Sequence, residues 1–338
     1  MNIEIILILA VILLSLFIYF VRKFITSDLN FRKSLLSTSK DLDVRQKKRS
    51  LEQEKLREDK LIQQIGMAKK IIGEKNFFGP NEIKLVFGFE ISPKNTPLIQ
   101  FSEEDLVRAA ELEQILVLRV NSVKGEPVTM RLLETVCRDR GPTWQSRKPM
   151  FSRNKIHDTC LNKIKLGFWV EEETMELSWA LSTKNPISQI NGDFLVKMDQ
   201  IVEYLKNSVF KNQTIPPEYQ RAIDDFNCKK PMIKDALANS HPQLLEIAEN
   251  MSLIRLTLPK PIELFYDFLL CWRMHLHSMY DCFDCLTYSD GDKFRFIRTG
   301  GAGNNTPIHV EIFDDLFFNE QFFRRTELPT LLIFSRKI

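Results

Sequence analysis

The sequence predicts an α+β protein in which an N-terminal transmembrane helix and a helical stalk precede two units of antiparallel sheet covered by helices. Three observations indicate this fold class: an apolar run near the start, a charged and helix-like segment behind it, and then an order of strand, helix, strands and helix that occurs twice. The two units are expected at residues 79–227 and 228–338. A tandem duplication would explain the shared order, although no residue-level repeat supports it.

The first predicted element is a membrane anchor at residues 1–25. Ile5–Val21 contains no Asp, Glu, Lys, Arg or His, and its seventeen residues lie at the lower end of what crosses a bilayer core. Lys and Arg follow this run but do not precede it, so the positive-inside rule predicts a single-pass protein of the inner membrane with most of the chain in the cytoplasm. Residues 3–25 would contact the membrane. A cleaved signal peptide is the weaker alternative, because no small-x-small cleavage pattern follows.

The second predicted element is a basic helical stalk at residues 26–78. Residues 22–75 hold 15 Lys and Arg against 8 Asp and Glu, a charge that suits anionic lipid headgroups. Nucleic acid is not expected as a partner, because acids are mixed in and aromatic residues are not interleaved. An apolar stripe at coiled-coil spacing predicts weak self-association through the stalk: Leu61, Ile65, Ala68 and Ile72.

The first α+β unit is expected to begin with a strand at Ile83–Ile91. Ser102, followed by three acids, predicts a helix that runs to about Gln114. A buried strand is then expected at Ile115–Val120 and a helix from Pro127 to Arg140. The later elements of the unit are two alternating strands and an amphipathic helix: Lys165–Val170, Met175–Leu181 and Phe194–Phe210.

The second α+β unit is expected to begin with a strand at Met251–Leu258 and a helix that starts at Pro261. Ser289-Asp290-Gly291-Asp292 is a strong turn signal, so Phe283–Tyr288 and Lys293–Arg298 should form a hairpin. The remaining elements are a strand, a helix and a final strand: Ile308–Phe313, Asp315–Arg325 and Pro329–Arg336.

One group of residues invites a metal. His275, Cys282 and Cys285 lie within eleven residues, together with His277. The two histidines are two positions apart on a predicted helix, so they point to opposite sides, and buried cysteines are common core residues. We therefore expect no metal and no other cofactor, with these three residues as the candidates if a metal binds. The six cysteines show no regular framework, which is typical of reduced thiols.

Catalytic motifs are missing from the sequence. It contains no G-x-S-x-G, no H-E-x-x-H and no P-loop, and Gly300–Gly303 is not followed by Lys and Ser or Thr. The sequence therefore favours a binding protein. An anchored enzyme with a site near His275 and the glycine-rich loop is retained as an alternative, because site residues can be distant in sequence.

Strand alternation indicates a candidate partner-binding face. If helices cover one side of the first sheet, Val117, Trp169 and Ala180 lie on the other side, and Met150 and Phe151 can join them. An apolar groove on an open sheet face is suited to a partner peptide. The equally weighted alternative is that a third layer covers this face.

The layout resembles the ZipA family of bacterial cell-division anchors. The residues that carry the resemblance are the anchor, Leu116–Val120 with Lys124-Gly125, the helix around Leu132–Val136, Met150–Arg153, and the later elements Met175–Leu181, Phe194–Leu205 and Ile215–Tyr219. The resemblance implies a C-terminal domain that binds an FtsZ-like filament. The expected function is therefore a membrane-tethered scaffold that recruits a soluble partner, with a subunit of a larger secretion or conjugation complex as the alternative. The short charged stalk and residues 228–338 have no counterpart in the family.

Overall fold

The computed structural model describes residues 3–139, 172–187, 193–239, 241–275, 284–289, 295–300, 309–312, 330–331 and 334–337. The chain divides into two compact units, Met1–Lys60 and Leu61–Ile338. We call them the N-terminal unit and the folded unit. The fold of the described residues is mixed helix and sheet, and both of its larger sheets have four strands.

A single helix, α1, accounts for the described part of the N-terminal unit. It runs from Ile3 to Ile72, and its last twelve residues belong to the folded unit. The sequence between Arg22 and Lys60 is rich in charged residues that favour helix in water. The N-terminal unit is therefore a helix without a tertiary core of its own among its described residues.

The predicted transmembrane anchor at residues 1–25 is corrected by the structure. Within the described ranges, no helix has the length and hydropathy needed to cross a membrane. The single-pass inner-membrane location, which depended on this anchor, is corrected with it.

The folded unit follows α1 with a short strand and a series of helices and strands. Its helices are α2 (Pro80–Phe87), α3 (Glu103–Glu111), α4 (Met130–Asp139), α5 (Phe194–Tyr204), α6 (Pro217–Asn239), α7 (His241–Glu249), α8 (Ser252–Thr257) and α9 (Pro261–His275). Its strands are β1 (Phe77–Phe78), β2 (Gln114–Arg119), β3 (Ser122–Val123), β4 (Glu126–Pro127), β5 (Ser178–Thr183), β6 (Asp284–Ser289), β7 (Arg295–Gly300), β8 (His309–Ile312), β9 (Thr330–Leu331) and β10 (Ser335–Lys337).

The first sheet has the strand order β1-β2-β5-β10. β1 is parallel to β2, whereas β2 with β5 and β5 with β10 are antiparallel. Every residue of β2 is buried, and successive residues of a strand point to opposite faces, so both faces of this strand are covered. Arg336 of β10 lies opposite Leu181 of β5, so β10, from the end of the chain, completes this sheet.

The second sheet has the order β8-β7-β6-β9. Its centre is an antiparallel pair in which Asp284 lies opposite Gly300 and Ser289 opposite Arg295. The predicted hairpin is therefore confirmed as a strand pair. β3 and β4 form a separate two-stranded ribbon.

Two hydrophobic cores hold the folded unit together. The first core contains the end of α1 and the side chains of β1, α2, α3, β2, α4, β5 and α9. The second core contains α5, α6, α7 and α8, with Tyr288 of β6 and Phe334 from the residue before β10. The predicted boundary between residues 227 and 228 falls inside α6, which is one continuous helix of 23 residues.

Two predicted strands are helices in the structure. Pro80 occupies the first turn of α2, the Glu82 carboxylate accepts a hydrogen bond from the backbone N–H of Gly79, and Gly88 ends the helix with a positive φ of 72°. Residues 251–258, also predicted as a strand, form α8 instead. Both segments are short apolar runs, for which periodicity does not separate a strand from a buried helix.

Candidate interaction surface

The N-terminal unit exposes a mainly apolar segment, Leu16–Phe24, in which Arg22 and Lys23 are the charged residues. Phe17 is 67% exposed, Phe20 is 64% exposed and Phe24 is 78% exposed. The other large apolar side chains of the segment are also exposed: Leu16, Ile18, Tyr19 and Val21. Neighbouring residues of an α-helix are about 100° apart, so six consecutive apolar residues from position 16 to 21 cover every side of the helix.

One face of the opposite end of α1 is buried. Leu61, Ala68 and Ile72 belong to the core of the folded unit. The side-chain amide of Gln64 donates a hydrogen bond of 2.9 Å to the carbonyl of Ile99 and accepts one of 3.1 Å from its N–H. The predicted coiled-coil stripe is therefore the surface by which α1 packs into the folded unit, and these side chains are not available for self-association.

The candidate partner-binding face is only partly described. Val117 and Ala180 lie directly opposite each other on β2 and β5, and both are fully buried in the first core. Met150, Phe151 and Trp169 lie outside the described residues. The structure thus brings two of the five residues together and covers them, as the third-layer alternative expected.

A buried charge cluster connects β2 to α9. The guanidinium of Arg119 is fully buried, and its Nη2 lies 2.6 Å from Oδ2 of Asp267. Nη1 of the same guanidinium lies 3.3 Å from Oε1 of Glu263. The hydroxyl of Tyr266 donates a hydrogen bond to the carbonyl of Leu118. Removal of one partner from such a cluster leaves an uncompensated charge in a low-dielectric interior, so the cluster fixes how α9 packs on the sheet.

Burial shifts the pKa values of the carboxyl and the thiol in and beside this cluster. Burial raises the pKa of the Asp267 carboxyl, against the opposing attraction of Arg119. Burial also raises the pKa of the Cys271 thiol, and the Asp267 charge acts in the same direction. A thiol that is kept protonated in this way is a poor nucleophile and a poor metal ligand.

A second buried arginine, Arg336 of β10, lies in a cage of aromatic rings. Its guanidinium carbon lies 4.9 Å from the ring centre of Phe210, 5.4 Å from that of Phe101 and 5.9 Å from that of Tyr219. Its Nη1 lies 2.5 Å from Oδ1 of Asp105. We call these three rings and the Asp105 carboxylate the arginine cage. Burial alone would raise the pKa of Asp105, but the bond and charge of Arg336 outweigh it and lower that pKa.

Lys197 of α5 is another buried cation. It is 2% exposed, and burial lowers its pKa to about 8 against the attraction of Asp193. A lysine with such a pKa can act as a nucleophile when a substrate reaches it. Because Lys197 is almost completely buried, a substrate in solution does not reach its amine. Its effect should therefore be measured on the stability of the folded unit.

The candidate metal residues are only partly described. Cys282 lies outside the described residues, and of His275 and Cys285 only the backbone is described. Among the described residues, no group of three or more His, Cys, Asp or Glu side chains lies close enough together to hold a metal ion. Sequence reasoning missed the arginine cage, because its members come from positions 101, 105, 210, 219 and 336.

Comparison of the chain with family models, with curated proteins and with solved structures gives no match.

Proposed function

We propose that the protein is a self-assembling scaffold, in which the apolar segment Leu16–Phe24 gathers several copies of the chain. The observation that carries the proposal is that this segment exposes seven large apolar side chains on all sides of a helix. A helix whose surface is apolar on every side is normally buried against other apolar surface. Contiguous exposed apolar surface of this kind marks interaction sites.

Energetic considerations support the association of several copies. Complete burial of seven large apolar side chains contributes roughly 10–20 kcal/mol at about 1.5–3 kcal/mol each. Association of proteins costs about 4–15 kcal/mol in lost freedom of motion. A two-stranded coiled coil would bury only one stripe of each helix, so the remaining sides favour an assembly larger than a dimer.

Charge complementarity favours further copies of this chain as the partner, in antiparallel orientation. Leu13 is the midpoint of Ile5–Val21, so an antiparallel pair centred there places Glu4 of one copy opposite Arg22 of the next. A parallel arrangement would bring Arg22 and Lys23 of all copies together, which like charges oppose. Assembly would join several folded units in one particle, and this multivalency raises the affinity for any partner with repeated sites.

Sedimentation of the full chain tests this proposal. The variant Phe17→Gln/Phe20→Gln/Phe24→Gln keeps good helix-forming residues but removes three rings of the segment. We expect the wild type to sediment as an oligomer larger than a dimer and this variant as a monomer. The matched control is Leu51→Gln/Leu56→Gln, which changes two exposed apolar residues of the same helix among charged neighbours and should leave assembly unchanged.

Two outcomes would overturn the proposal. One is a wild-type chain that stays monomeric at concentrations of tens of micromolar. The other is a wild-type chain that binds vesicles of phosphatidylcholine and phosphatidylglycerol through Phe17, Phe20 and Phe24 and does not self-associate. Charge reversal tests the orientation: Glu4→Arg and Arg22→Glu should each weaken assembly several-fold, and their combination should restore it.

Recruitment of a filament protein by the sheet face, as the ZipA-like layout implies, remains a second candidate function. The presence of β2, α4, β5 and α5 in the order of that layout favours it. The burial of Val117 and Ala180 does not favour it, so this candidate function depends on Met150, Phe151 and Trp169. Loss of filament binding in Trp169→Ala, with unchanged thermal unfolding, would support it.

A further inference from the structure

The arginine cage is formed without any contribution from β10 or from the strand that β10 pairs with. Phe101 precedes α3, Asp105 lies in its first turn, Phe210 follows α5, and Tyr219 lies on α6. These four residues belong to elements that the two cores hold in place. The cage therefore persists as a shaped receptor when β10 leaves it.

The chemistry of the cage is selective for a guanidinium. Three aromatic faces lie within about 6 Å of the Arg336 carbon, a distance at which cation–π attraction is significant. A flat, weakly hydrated guanidinium stacks on such rings better than a compact ammonium does. The carboxylate of Asp105 supplies the compensating charge. The site is therefore suited to arginine and less suited to lysine.

The segment that fills the cage has two anchors at strand spacing. Phe334 packs against Tyr204 at a ring distance of 5.3 Å, and Arg336 enters the cage two residues later, on the same face of the strand. The backbone of Phe334 makes two hydrogen bonds with Thr183. The N–H of Thr183 donates to the carbonyl of Phe334, and the N–H of Phe334 donates to the hydroxyl oxygen of Thr183. The ligand is thus an extended strand of the pattern aromatic-x-Arg.

We propose that the arginine cage is a binding site for an arginine-bearing strand, that β10 is its internal ligand, and that β10 of a second copy of this chain can replace it. A second copy carries the same strand, with the same two anchors and the same register on β5. β10 has only three residues and lies at the edge of the sheet in the described strand order, so few backbone hydrogen bonds hold it. Exchange of an identical element between copies is a low-cost route to association.

Peptide binding to Arg336→Ala tests the receptor. Arg336→Ala should lower the melting temperature by roughly 10 °C. A peptide of residues 330–337 should bind the full-length variant and raise its melting temperature towards that of the wild type. The same peptide with Ala in place of Arg336 should not bind, and the peptide with Lys should bind at least tenfold more weakly. Equal effects of all three peptides, or no effect of the arginine peptide, would overturn the proposal.

Strand exchange is tested separately, in the Phe17→Gln/Phe20→Gln/Phe24→Gln background that should not assemble through α1. Two batches of this chain with different isotope labels are mixed, warmed towards their melting temperature and cooled. Native mass spectrometry should show mixed dimers. Absence of mixed dimers would overturn the proposed strand exchange, whether or not α1 assembles the wild type. If Arg336→Ala does not fold, this measurement alone tests the proposal.

Discussion

Both ends of helix α1 carry apolar side chains, but the two ends differ in what surrounds these side chains. Near the N-terminus, Phe17 and Phe20 are about two-thirds exposed, whereas Leu61 and Ala68 near the C-terminus are buried. The difference lies in the spacing of the apolar residues. At the C-terminal end they form a single stripe that one neighbouring surface can cover, and at the N-terminal end they cover every side of the helix.

This comparison separates two properties of the chain. Residues after position 60 should determine whether the folded unit is stable, and Leu16–Phe24 should determine whether copies associate. Substitutions that change one property without the other would sharpen the distinction, and substitutions that change both would break it.

The largest effect on folding is expected from Ala68→Asp. Ala68 is fully buried in the first core, so the substitution places a carboxylate in an apolar interior at a cost of at least roughly 4 kcal/mol. Chemical denaturation monitored by circular dichroism should show a destabilised or unfolded unit. Leu56→Asp is the matched control, because Leu56 is 71% exposed on the same helix, and it should leave the denaturation midpoint unchanged.

The next largest effect is expected from Asp267→Asn. The substitution removes the charge that lies 2.6 Å from Arg119, and loss of one partner of a buried pair costs roughly 3 kcal/mol. The control Asp225→Asn removes a surface pair with Lys229 and should cost less than about 0.5 kcal/mol. Equal losses in the two variants would show that the buried cluster does not stabilise the folded unit.

Lys197→Met should stabilise the folded unit at neutral pH. The pKa of Lys197 is lowered from 10.5 to about 8, so between pH 8 and 10.5 the unfolded chain holds a proton that the folded chain has lost. The contribution of Lys197 to stability, measured as the difference between the wild type and the Met variant, should therefore rise with pH through this window, because charging the buried amine is penalised below it. At pH 7 the Met variant should gain roughly 3 kcal/mol and lose this rise.

The pH dependence of Lys197 is checked by denaturation at several values between pH 7 and 10.5. Lys206→Met, which changes an exposed lysine that follows the same helix, is the control and should keep the wild-type rise. A rise that persists unchanged in Lys197→Met would show that another group causes it.

A smaller effect is expected from Gln64→Ala. The variant loses both hydrogen bonds to the backbone of Ile99, at a cost of roughly 1–2 kcal/mol. The neighbouring Gln63 is exposed, so Gln63→Ala should have no measurable effect on thermal unfolding. If the two variants have the same melting temperature, the contact between α1 and Ile99 does not contribute to stability.

Local signals in the sequence predicted part of this fold. Ser102 begins α3 as expected, with its hydroxyl accepting from the N–H of Asp105, and the turn signal at residues 289–292 predicted a pair of strands that the structure contains. Short apolar runs were assigned wrongly at α2 and α8, because runs of eight and six residues are too short for their periodicity to distinguish helix from strand.

Long-range contacts were beyond the reach of sequence patterns. The arginine cage joins residues more than 100 positions apart, and the pairing of Arg119 with Asp267 spans 148 positions. The membrane anchor was inferred from hydropathy alone, and the described helices do not support it. The apolar segment itself was visible from the beginning, but its exposed side chains in an isolated helix became evident only in the structure.

Cysteine cross-linking between copies is the most direct measurement of the proposed assembly. Full-length chains with Glu4→Cys are mixed with chains carrying Arg22→Cys, oxidised gently, digested and analysed by mass spectrometry. The antiparallel assembly predicts disulfides between position 4 of one copy and position 22 of another, with few between identical positions. Predominant links between identical positions would contradict the antiparallel arrangement, and absence of any link at positions 4 and 22 would contradict self-assembly through this helix.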